Sequence, residues 1–324
     1  MRYSRQIVFE KIGSDGQEKI RKANVTILGL GAIGSKSAEL LTRAGIGSLT
    51  LIDRDIVEES NLQRQSLFTE QDINSPKTLV AKSYLEKINP SIKIKAYFKD
   101  INHKNIEDYI KPTTQPSLVL DCTDNMQTRF LLNEFCFKKG ISWIYTAIIE
   151  STGMLFSIVP KKTPCLTCIF KEINQPLDSC DVSGVINTIA PFASSLQTTE
   201  ALKHITNKAT TKELLYFDVW KNKIQKIKVK KQSSCPTCNS NFSYLNGKNM
   251  SETIGLCGSN SYQLYGPKLN LKEVAKKLEK IDKVVANDYC LLFRELTVFN
   301  DGRTLIKAPD QQKARSIYTK YIGY

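Results

Sequence analysis

Three glycines, Gly29, Gly31 and Gly34, have the spacing Gly-x-Gly-x-x-Gly. They follow an apolar run, Val25 to Leu28, that is typical of a buried strand, and they precede a helical pattern of apolar residues. Asp53 ends the next apolar run, 19 positions after the last glycine. Glycines let the backbone approach a phosphate, a helix N-terminus offers N–H groups to it, and the acid can bind ribose hydroxyls. The spacing therefore predicts a nucleotide site, for which NAD is the default ligand.

Further charged and amide side chains follow predicted strands at the ends where open α/β sheets bind ligands. A polar loop over 54–65, which contains Asp55, Asn61 and Arg64, follows the second strand directly. Lys77 begins a predicted helix further along the chain. A short apolar run at 118–120 is followed by residues 121–125, which include Asp124. We expect the 54–65 loop and residues 121–125 at the same edge of the sheet, where a ligand would bind.

The nine cysteines include two Cys-x-x-Cys pairs, Cys165 with Cys168 and Cys235 with Cys238, separated by 66 residues. Each pair aims two thiolates at one point, and two such pairs complete a tetrahedral zinc site. Four thiolates leave no open coordination position, so we expect this Zn²⁺ to be structural. A proline beside each pair indicates a turn and disfavours the alternative of two unrelated buried or redox pairs.

A further cysteine, Cys180, stands in a polar, turn-rich stretch ahead of a helix predicted over 189–205. A cysteine in a loop before a helix can act as a nucleophile. A single loop cysteine can also be incidental, and the residues alone leave both interpretations open.

The elements that position these residues alternate between strand and helix through residue 147, which predicts a Rossmann-like, doubly wound, mostly parallel sheet. Hairpin patterns at 153–159 and 214–229 predict that the sheet finishes antiparallel. We expect an ATP-binding domain with the zinc site over 1–238, an Asn/Ser/Gly-rich linker over 239–250, and a small α+β domain over 251–324. The fold class is therefore α/β with an α+β extension.

The composition disfavours a nucleic-acid-binding protein and a membrane protein. The 324 residues carry a net charge of +14, yet the lysines and arginines are dispersed, and no motif for nucleic acid accompanies them. The densest basic stretch, residues 221–231, interleaves lysines with Ile224, Ile227 and Val229, as in a solvated strand near a sheet edge. No membrane span or secretory leader is evident in the sequence, and we expect a cytoplasmic enzyme.

Together these segments resemble the MoeB/ThiF/HesA adenylyltransferases, relatives of the ubiquitin-activating enzymes. The resemblance covers residues 2–238, about three quarters of the chain, in family order. Besides the four zinc cysteines and the Cys180 loop, the matching segments are RYSRQI (2–7), GLGAIG (29–34), LIDRD (51–55), SNLQRQ (60–65), SPK (75–77) and DCTDN (121–125).

The resemblance implies adenylation, with ATP and Mg²⁺, of the C-terminal Gly-Gly carboxylate of a small ubiquitin-fold sulfur-carrier protein of the MoaD/ThiS kind. It assigns Asp53 to the ribose, Asn61, Arg64 and Lys77 to the phosphates, and Asp124 to the magnesium. It places Arg5 in the ATP site of the other subunit of a homodimer. Cys180 matches the family's active-site cysteine, which can form a thioester or acyl disulfide. Cations and an acid around a triphosphate favour ATP over NAD.

Alternatives remain at this point. The same site could activate a free peptide or amino-acid carboxylate, or the chain could be an inactive scaffold. The carrier could belong to molybdopterin or thiamine synthesis, to tRNA thiolation or to protein modification. The tail lacks the cysteine loop of a sulfur-delivering rhodanese domain, since Cys290 lies in a predicted strand. Docking of the carrier is a hypothesis for this tail.

Overall fold

The computed structural model describes residues 2–111, 117–170, 184–250, 254–256 and 261–323. The helices are α1 (Ser4–Val8), α2 (Gly13–Lys22), α3 (Ala32–Ala44), α4 (Lys77–Ile88), α5 (Ile106–Tyr109), α6 (Met126–Lys139), α7 (Leu166–Ile169), α8 (Ile189–Ile205), α9 (Leu271–Leu278) and α10 (Gln311–Tyr321). The strands are β1 (Asn24–Leu28), β2 (Ser48–Asp53), β3 (Lys93–Phe98), β4 (Ser117–Asp121), β5 (Ser142–Ile149), β6 (Thr152–Ile158), β7 (Leu214–Asp218), β8 (Lys223–Ile227), β9 (Ile254–Leu256), β10 (Ser261–Tyr265), β11 (Val285–Ala286), β12 (Cys290–Phe293), β13 (Leu296–Phe299) and β14 (Arg303–Lys307).

An eight-stranded sheet has the strand order β3-β2-β1-β4-β5-β6-β7-β8. The first five strands in this order pair in parallel, and the last three pair antiparallel. This confirms the predicted doubly wound sheet that finishes antiparallel. The strand order reverses between β1 and β4, which is the point where such sheets open a crevice for a ligand.

The core of this sheet is buried under α3 and α8. Apolar residues of both helices, such as Leu41 and Ala201, are fully buried with the strand residues Ile27 and Leu51. A buried hydrogen bond of 2.7 Å from the Ser37 hydroxyl to the Gln197 side chain joins the two helices. This packing fixes the start of α3, and hence the glycine loop, against the sheet.

The lysine-rich stretch forms β8, the edge strand of the sheet, and all five of its residues are exposed. Its lysines line the edge, as the sequence pattern indicated. Charged residues at such an edge discourage pairing with another chain.

The chain divides into two compact units, and the boundary falls between Asn249 and Met250. The stretch predicted as a linker, 239–250, therefore belongs to the first unit up to residue 249. There the Glu134 carboxylate accepts hydrogen bonds from the backbone N–H groups of Ser243 (3.1 Å) and Leu245 (2.8 Å). A polar, turn-rich composition is typical of linkers, and it does not reveal that a buried carboxylate on α6 binds these N–H groups.

The second unit is a six-stranded antiparallel sheet with the order β11-β12-β13-β14-β10-β9, packed against α9 and α10. The side chains of Asn270 and Asp310 cap these two helices. The two-residue strand β11 is too short to carry a periodic sequence pattern. In the part of the chain that the structure describes, no helix has the length and apolar character of a membrane span.

Candidate active site

The glycine loop joins β1 to α3, and two of its glycines are required by close backbone contacts. Gly29 has φ +92°, and a Cβ there would lie 2.5 Å from the carbonyl oxygen of Cys122. A Cβ on Gly34 would lie 1.9 Å from the carbonyl oxygen of Gly29. Among the described residues no side chain caps α3, whose N-cap is Gly31. Its first N–H groups are therefore suited to an anion such as phosphate.

Asp53 ends β2 beside this loop, because β1 and β2 are neighbouring parallel strands. Its carboxylate is buried and accepts hydrogen bonds from the backbone N–H groups of Leu30 (2.5 Å) and Asp55 (2.6 Å). Burial raises the pKa of Asp53 to about 6, although the positive charge of Lys77 acts in the opposite direction. A carboxylate at this place fits the ribose position that the sequence predicted.

Lys77 is the first residue of α4 and is almost fully buried. Its Nζ lies 3.6 Å from Oδ2 of Asp55, and its backbone N–H donates to the Asp55 carbonyl oxygen. Burial alone would lower the pKa of Lys77, but the carboxylates of Asp55 and Asp53 outweigh it and the pKa is raised. The site therefore keeps a charged ammonium in a poorly solvated place.

Two further predicted residues lie in the loop after β2. Asn61 is buried, and its side-chain oxygen accepts a hydrogen bond from the Glu58 N–H, which shapes a single 3₁₀ turn. Arg64 donates to the carbonyl oxygen of Ser60 and makes no ion pair with a carboxylate among the described residues. Its charge is available to a phosphate group.

Asp124 lies in the loop after β4, the strand on the other side of β1. Its side chain is about half exposed, and its Oδ1 lies 3.6 Å from Nη2 of Arg54. The fully buried carboxylate of Asp121 shapes this loop by accepting hydrogen bonds from the N–H and hydroxyl of Thr123. The loop thus presents one exposed acid beside the glycine loop.

The charges of this sheet edge fit a divalent cation. Among the described residues, four carboxylates lie around the two buried cations Arg54 and Lys77: those of Asp53, Asp55, Asp100 and Asp124. Carboxylate oxygens are the hard donors that Mg²⁺ prefers, usually one or two of them together with phosphate oxygens. Asp124, as the most exposed of the four, is suited to reach such an ion.

Three further residues lie beside the predicted site residues, and the sequence predicted no role for them. Arg54 belongs to the LIDRD motif and Gln65 to the SNLQRQ motif. The side-chain amide nitrogen of the buried Gln65 lies 3.9 Å from the Cβ position of Gly31. Asp100, which pairs with Arg54, belongs to no motif. The burial of these polar groups depends on strand neighbours that are remote in sequence.

The structure does not bring Arg5 to this cluster within one chain. Hydrogen bonds hold α1 at the far end of α3, where Gln6 donates to the Ala44 carbonyl oxygen and Tyr3 packs on Gly45. The 13 residues of α3 separate this end from the glycine loop by about 20 Å. Cys180 lies outside the described residues.

The four predicted zinc ligands converge. The sulfur atoms of Cys165, Cys168, Cys235 and Cys238 all lie within 4.8 Å of one another, and the Cys165–Cys235 and Cys168–Cys238 distances are 3.5 and 3.6 Å. A tetrahedral Zn²⁺ with bonds of about 2.3 Å requires sulfur separations of about 3.8 Å. The cluster therefore fits a closed, structural zinc site.

A buried amide joins this zinc module to α6. The Asn133 amide nitrogen donates to the hydroxyls of Thr167 (3.1 Å) and Thr237 (3.3 Å), one in each Cys-x-x-Cys pair. Its oxygen accepts from the N–H of Leu166 at 2.9 Å. One helix thus orients both cysteine pairs.

Comparison with known proteins decides the family. The ThiF family model matches residues 3–237. This chain belongs to the ThiF family. The resemblance drawn from the motifs is thereby confirmed.

The curated relatives carry names of adenylyltransferases. The sulfur carrier protein ThiS adenylyltransferase of Bacillus subtilis (strain 168) is 37% identical over 336 residues, which cover 99% of each chain. The molybdopterin-synthase adenylyltransferase of Escherichia coli (strain K12) is 31% identical over 241 residues, 74% of this chain and 96% of the relative. The Bacillus relative therefore also shares the second unit.

Solved structures agree on the fold. The crystal structure of MccB from E. coli with succinimide has a TM-score of 0.65 and 25% identity, and the match covers 74% of both chains. The structural match covers about the same share of this chain as the ThiF family model, which matches residues 3–237.

Proposed function

We propose that this ThiF-family chain catalyses the ATP-dependent adenylation of the C-terminal glycine carboxylate of a small ubiquitin-fold sulfur-carrier protein. The observation that carries the proposal is the buried, charged Lys77 beside the glycine loop, with Asp53 and Asp124 at the two neighbouring strand ends. This arrangement provides for a ribose, a chain of phosphates and a divalent cation together.

The chemistry explains why no catalytic base is needed. A carboxylate oxygen of the carrier bonds to the α-phosphorus of ATP while the bond to the bridging oxygen breaks, and pyrophosphate leaves with that electron pair. The carboxylate is already ionised at neutral pH. The obstacle is repulsion between two anions, and positioned cations in a poorly solvated site reduce it.

Each residue has a part in this scheme. Lys77 and Arg64 neutralise phosphate charge, Asn61 donates to a phosphate oxygen, and Asp53 accepts from the ribose hydroxyls. Asp124 and the neighbouring Asp55 supply carboxylate oxygens for Mg²⁺, which would offset the remaining phosphate charge. Lys77 must loosen its 3.6 Å contact with Asp55 as the nucleotide enters.

A ThiS-type carrier is the first candidate for the acceptor. The Bacillus relative named for ThiS matches along the whole chain, second unit included, whereas the molybdopterin-synthase relative matches three quarters of it. We place the enzyme in the cytoplasm, where ATP is available and zinc-binding thiols stay reduced.

ATP–pyrophosphate exchange with each candidate Gly-Gly carrier tests the reaction. Asp124→Ala and Lys77→Ala should each lower the exchange rate at least a hundredfold, because they remove charge stabilisation in the transition state. Lys82→Ala is the matched control, since this lysine on the same helix is partly exposed and, among the described residues, forms its ion pair with Glu86. Exchange with free peptides alone, or with no carboxylate at all, would refute the carrier and favour the peptide-activating or scaffold alternative.

We assign Arg5 to the nucleotide site of the partner subunit in a homodimer. It is exposed on α1, and the length of α3 keeps it away from its own glycine loop. The exposed apolar residues Val8 (76%) and Phe9 (54%) follow it on the same segment and would be covered by such a partner.

Mixing two inactive variants tests this assignment. In a heterodimer of Arg5→Ala and Lys77→Ala, one site has a wild-type Lys77 and receives a wild-type Arg5 from the partner. After random subunit exchange, half of the dimers are mixed, so about a quarter of the sites should be active. If Arg5 instead acts in the site of its own chain, mixing the two variants should recover no activity.

Cys180 has a later part in this proposal. Its thiolate would attack the acyl carbon of the adenylate, AMP would leave, and a thioester with the carrier would form. Cys180→Ala should retain pyrophosphate exchange and lose the covalent, thiol-sensitive adduct with the carrier on non-reducing gels. Loss of exchange in a folded variant would contradict the separation of the two steps.

A further inference from the structure

Arg54 lies where three strand ends meet. It follows β2 directly, and its side chain is only 9% exposed. Three of its nitrogens face three carboxylates: Nη1 is 3.2 Å from Asp100, Nη2 is 3.6 Å from Asp124, and Nε is 3.8 Å from Asp55. The planar guanidinium holds its donors in a fixed arrangement, so one group can set the relative positions of several acids.

The acids differ in how firmly they are held. Asp100 is 8% exposed, follows β3, and its carbonyl oxygen accepts a hydrogen bond from the Asn105 amide. Asp124 is 55% exposed in the loop after β4. The Arg54–Asp100 pair is therefore the fixed part of the group, and Asp124 is the member with freedom to move.

We propose that Arg54 is a positioning residue that, anchored by Asp100, holds the Asp124 carboxylate in place for the Mg²⁺ of the nucleotide. This inference rests on the proposed function, since it takes Asp124 as a metal ligand. Groups that orient a metal-binding carboxylate typically contribute 10–100-fold to metal affinity or activity. Arg54 would act only through Asp124, without contact to the substrate.

The positive charge of Arg54 lowers the affinity for Mg²⁺, and this effect is smaller than the gain from orienting Asp124. A guanidinium about 7 Å from a divalent cation in water weakens the binding of that cation about sevenfold, and salt at about 0.15 M reduces this effect to about two- to threefold. Asp124 is exposed, so a water-like screening is the relevant case. Orientation should therefore outweigh repulsion, and removal of Arg54 should weaken Mg²⁺ binding.

The experiment measures ATP binding by the full-length chain at a series of Mg²⁺ concentrations, with isothermal titration calorimetry. Arg54→Met should raise the Mg²⁺ concentration for half-maximal ATP binding at least tenfold. Because this variant removes the ion pair of the buried Asp100 carboxylate, Arg54→Met combined with Asp100→Asn is the second variant. It removes the charged pair together, should fold as the wild type does, and should show the same shift. Arg54→Lys, which can reach only one acid, should recover part of the affinity.

A double-mutant cycle separates positioning from a structural effect. In an Asp124→Asn background, the loss of Arg54 should cause no further shift in the Mg²⁺ requirement, because the group it positions is gone. An unchanged or lower Mg²⁺ requirement in the folded Arg54→Met/Asp100→Asn variant would overturn the inference. So would an equal shift in the Asp124→Asn background.

The experiments can refute the proposed reaction and the proposed role of Arg54 independently of each other. A wild-type chain that binds ATP with Mg²⁺ but exchanges pyrophosphate with no carrier refutes the reaction. In that case the binding series still decides whether Arg54 positions Asp124.

Discussion

Replacing Asp53 by asparagine tests how this buried acid beside the glycine loop is held in the nucleotide-free enzyme. Burial raises its pKa from an ordinary 3.8 to about 6 in the folded chain. A carboxyl group whose pKa is raised by folding stabilises the fold fully below its unfolded pKa, and this contribution is lost as the pH rises through the folded pKa. A difference of this size corresponds to about 3 kcal/mol, lost between roughly pH 4 and pH 7.

The Asp53→Asn variant lacks this pH dependence, and the loss of one hydrogen bond lowers its free energy of unfolding by an amount that does not vary with pH. Asparagine is neutral at every pH, but it has one acceptor oxygen for the two N–H groups, of Leu30 and Asp55, that the carboxylate binds. One hydrogen bond is lost, which costs about 1–3 kcal/mol at all pH values. We expect the free energy of unfolding of the wild type to fall by about 3 kcal/mol relative to the variant across this range.

Tryptophan fluorescence in urea is the suitable assay. The chain has two tryptophans, Trp143 in β5 and Trp220 after β7, so the signal reports only on the first unit. The zinc-loaded, nucleotide-free proteins are compared from pH 4 to pH 7.5. Parallel stability curves for the two proteins would refute the argument, because they would show that Asp53 titrates alike in both states.

Two further predictions concern the zinc module and the glycine loop. Asn133→Ala leaves the buried N–H of Leu166 without its acceptor, so stability should fall by about 1–3 kcal/mol and zinc release to a metallochromic chelator should be faster. Equal release rates would contradict the role of Asn133 in orienting both cysteine pairs. Gly34→Ala places a Cβ within 1.9 Å of the Gly29 carbonyl oxygen and should lower both the urea midpoint and ATP affinity. Gly31→Ala, whose Cβ meets only the Gln65 amide at 3.9 Å, is the control and should keep the midpoint within experimental error.

Local sequence patterns were sufficient to predict most helices and strands. The predicted helix over 189–205 coincides with α8, and the side chain of Asp310 caps α10. The length of α8, which has 17 residues, and a capping side chain at the start of α10 are features that a short stretch of sequence contains. The five-residue helix α1 and the two-residue strand β11 have neither, and both depend on tertiary contacts.

The position of residues 239–249 shows where composition fails. Asn, Ser and Gly residues are typical of linkers, yet Tyr244 stacks on Phe130 with ring centroids 5.1 Å apart. The Glu134 carboxylate, over 100 residues away in sequence, binds two backbone N–H groups of this stretch. No local pattern encodes a partner so distant along the chain.

The sequence by itself determined several of the residues that gather at the candidate site. Gly29, Asp53 and Asp124 end or follow parallel strands, and the carboxyl ends of such strands must meet at one edge of the sheet. It likewise determined the cysteine pairs, because ligand spacing is a local property.

Only the tertiary structure decided which charges neutralise each other at that edge. Ion pairs depend on side chains from different strands, so the pairing of Arg54 with Asp100 and Asp124 has no signature in any one segment. The same holds for Arg5, which the motif suggests is catalytic and which the length of α3 keeps away from its own glycine loop. Distances between elements are set by packing, and packing is a property of the folded chain.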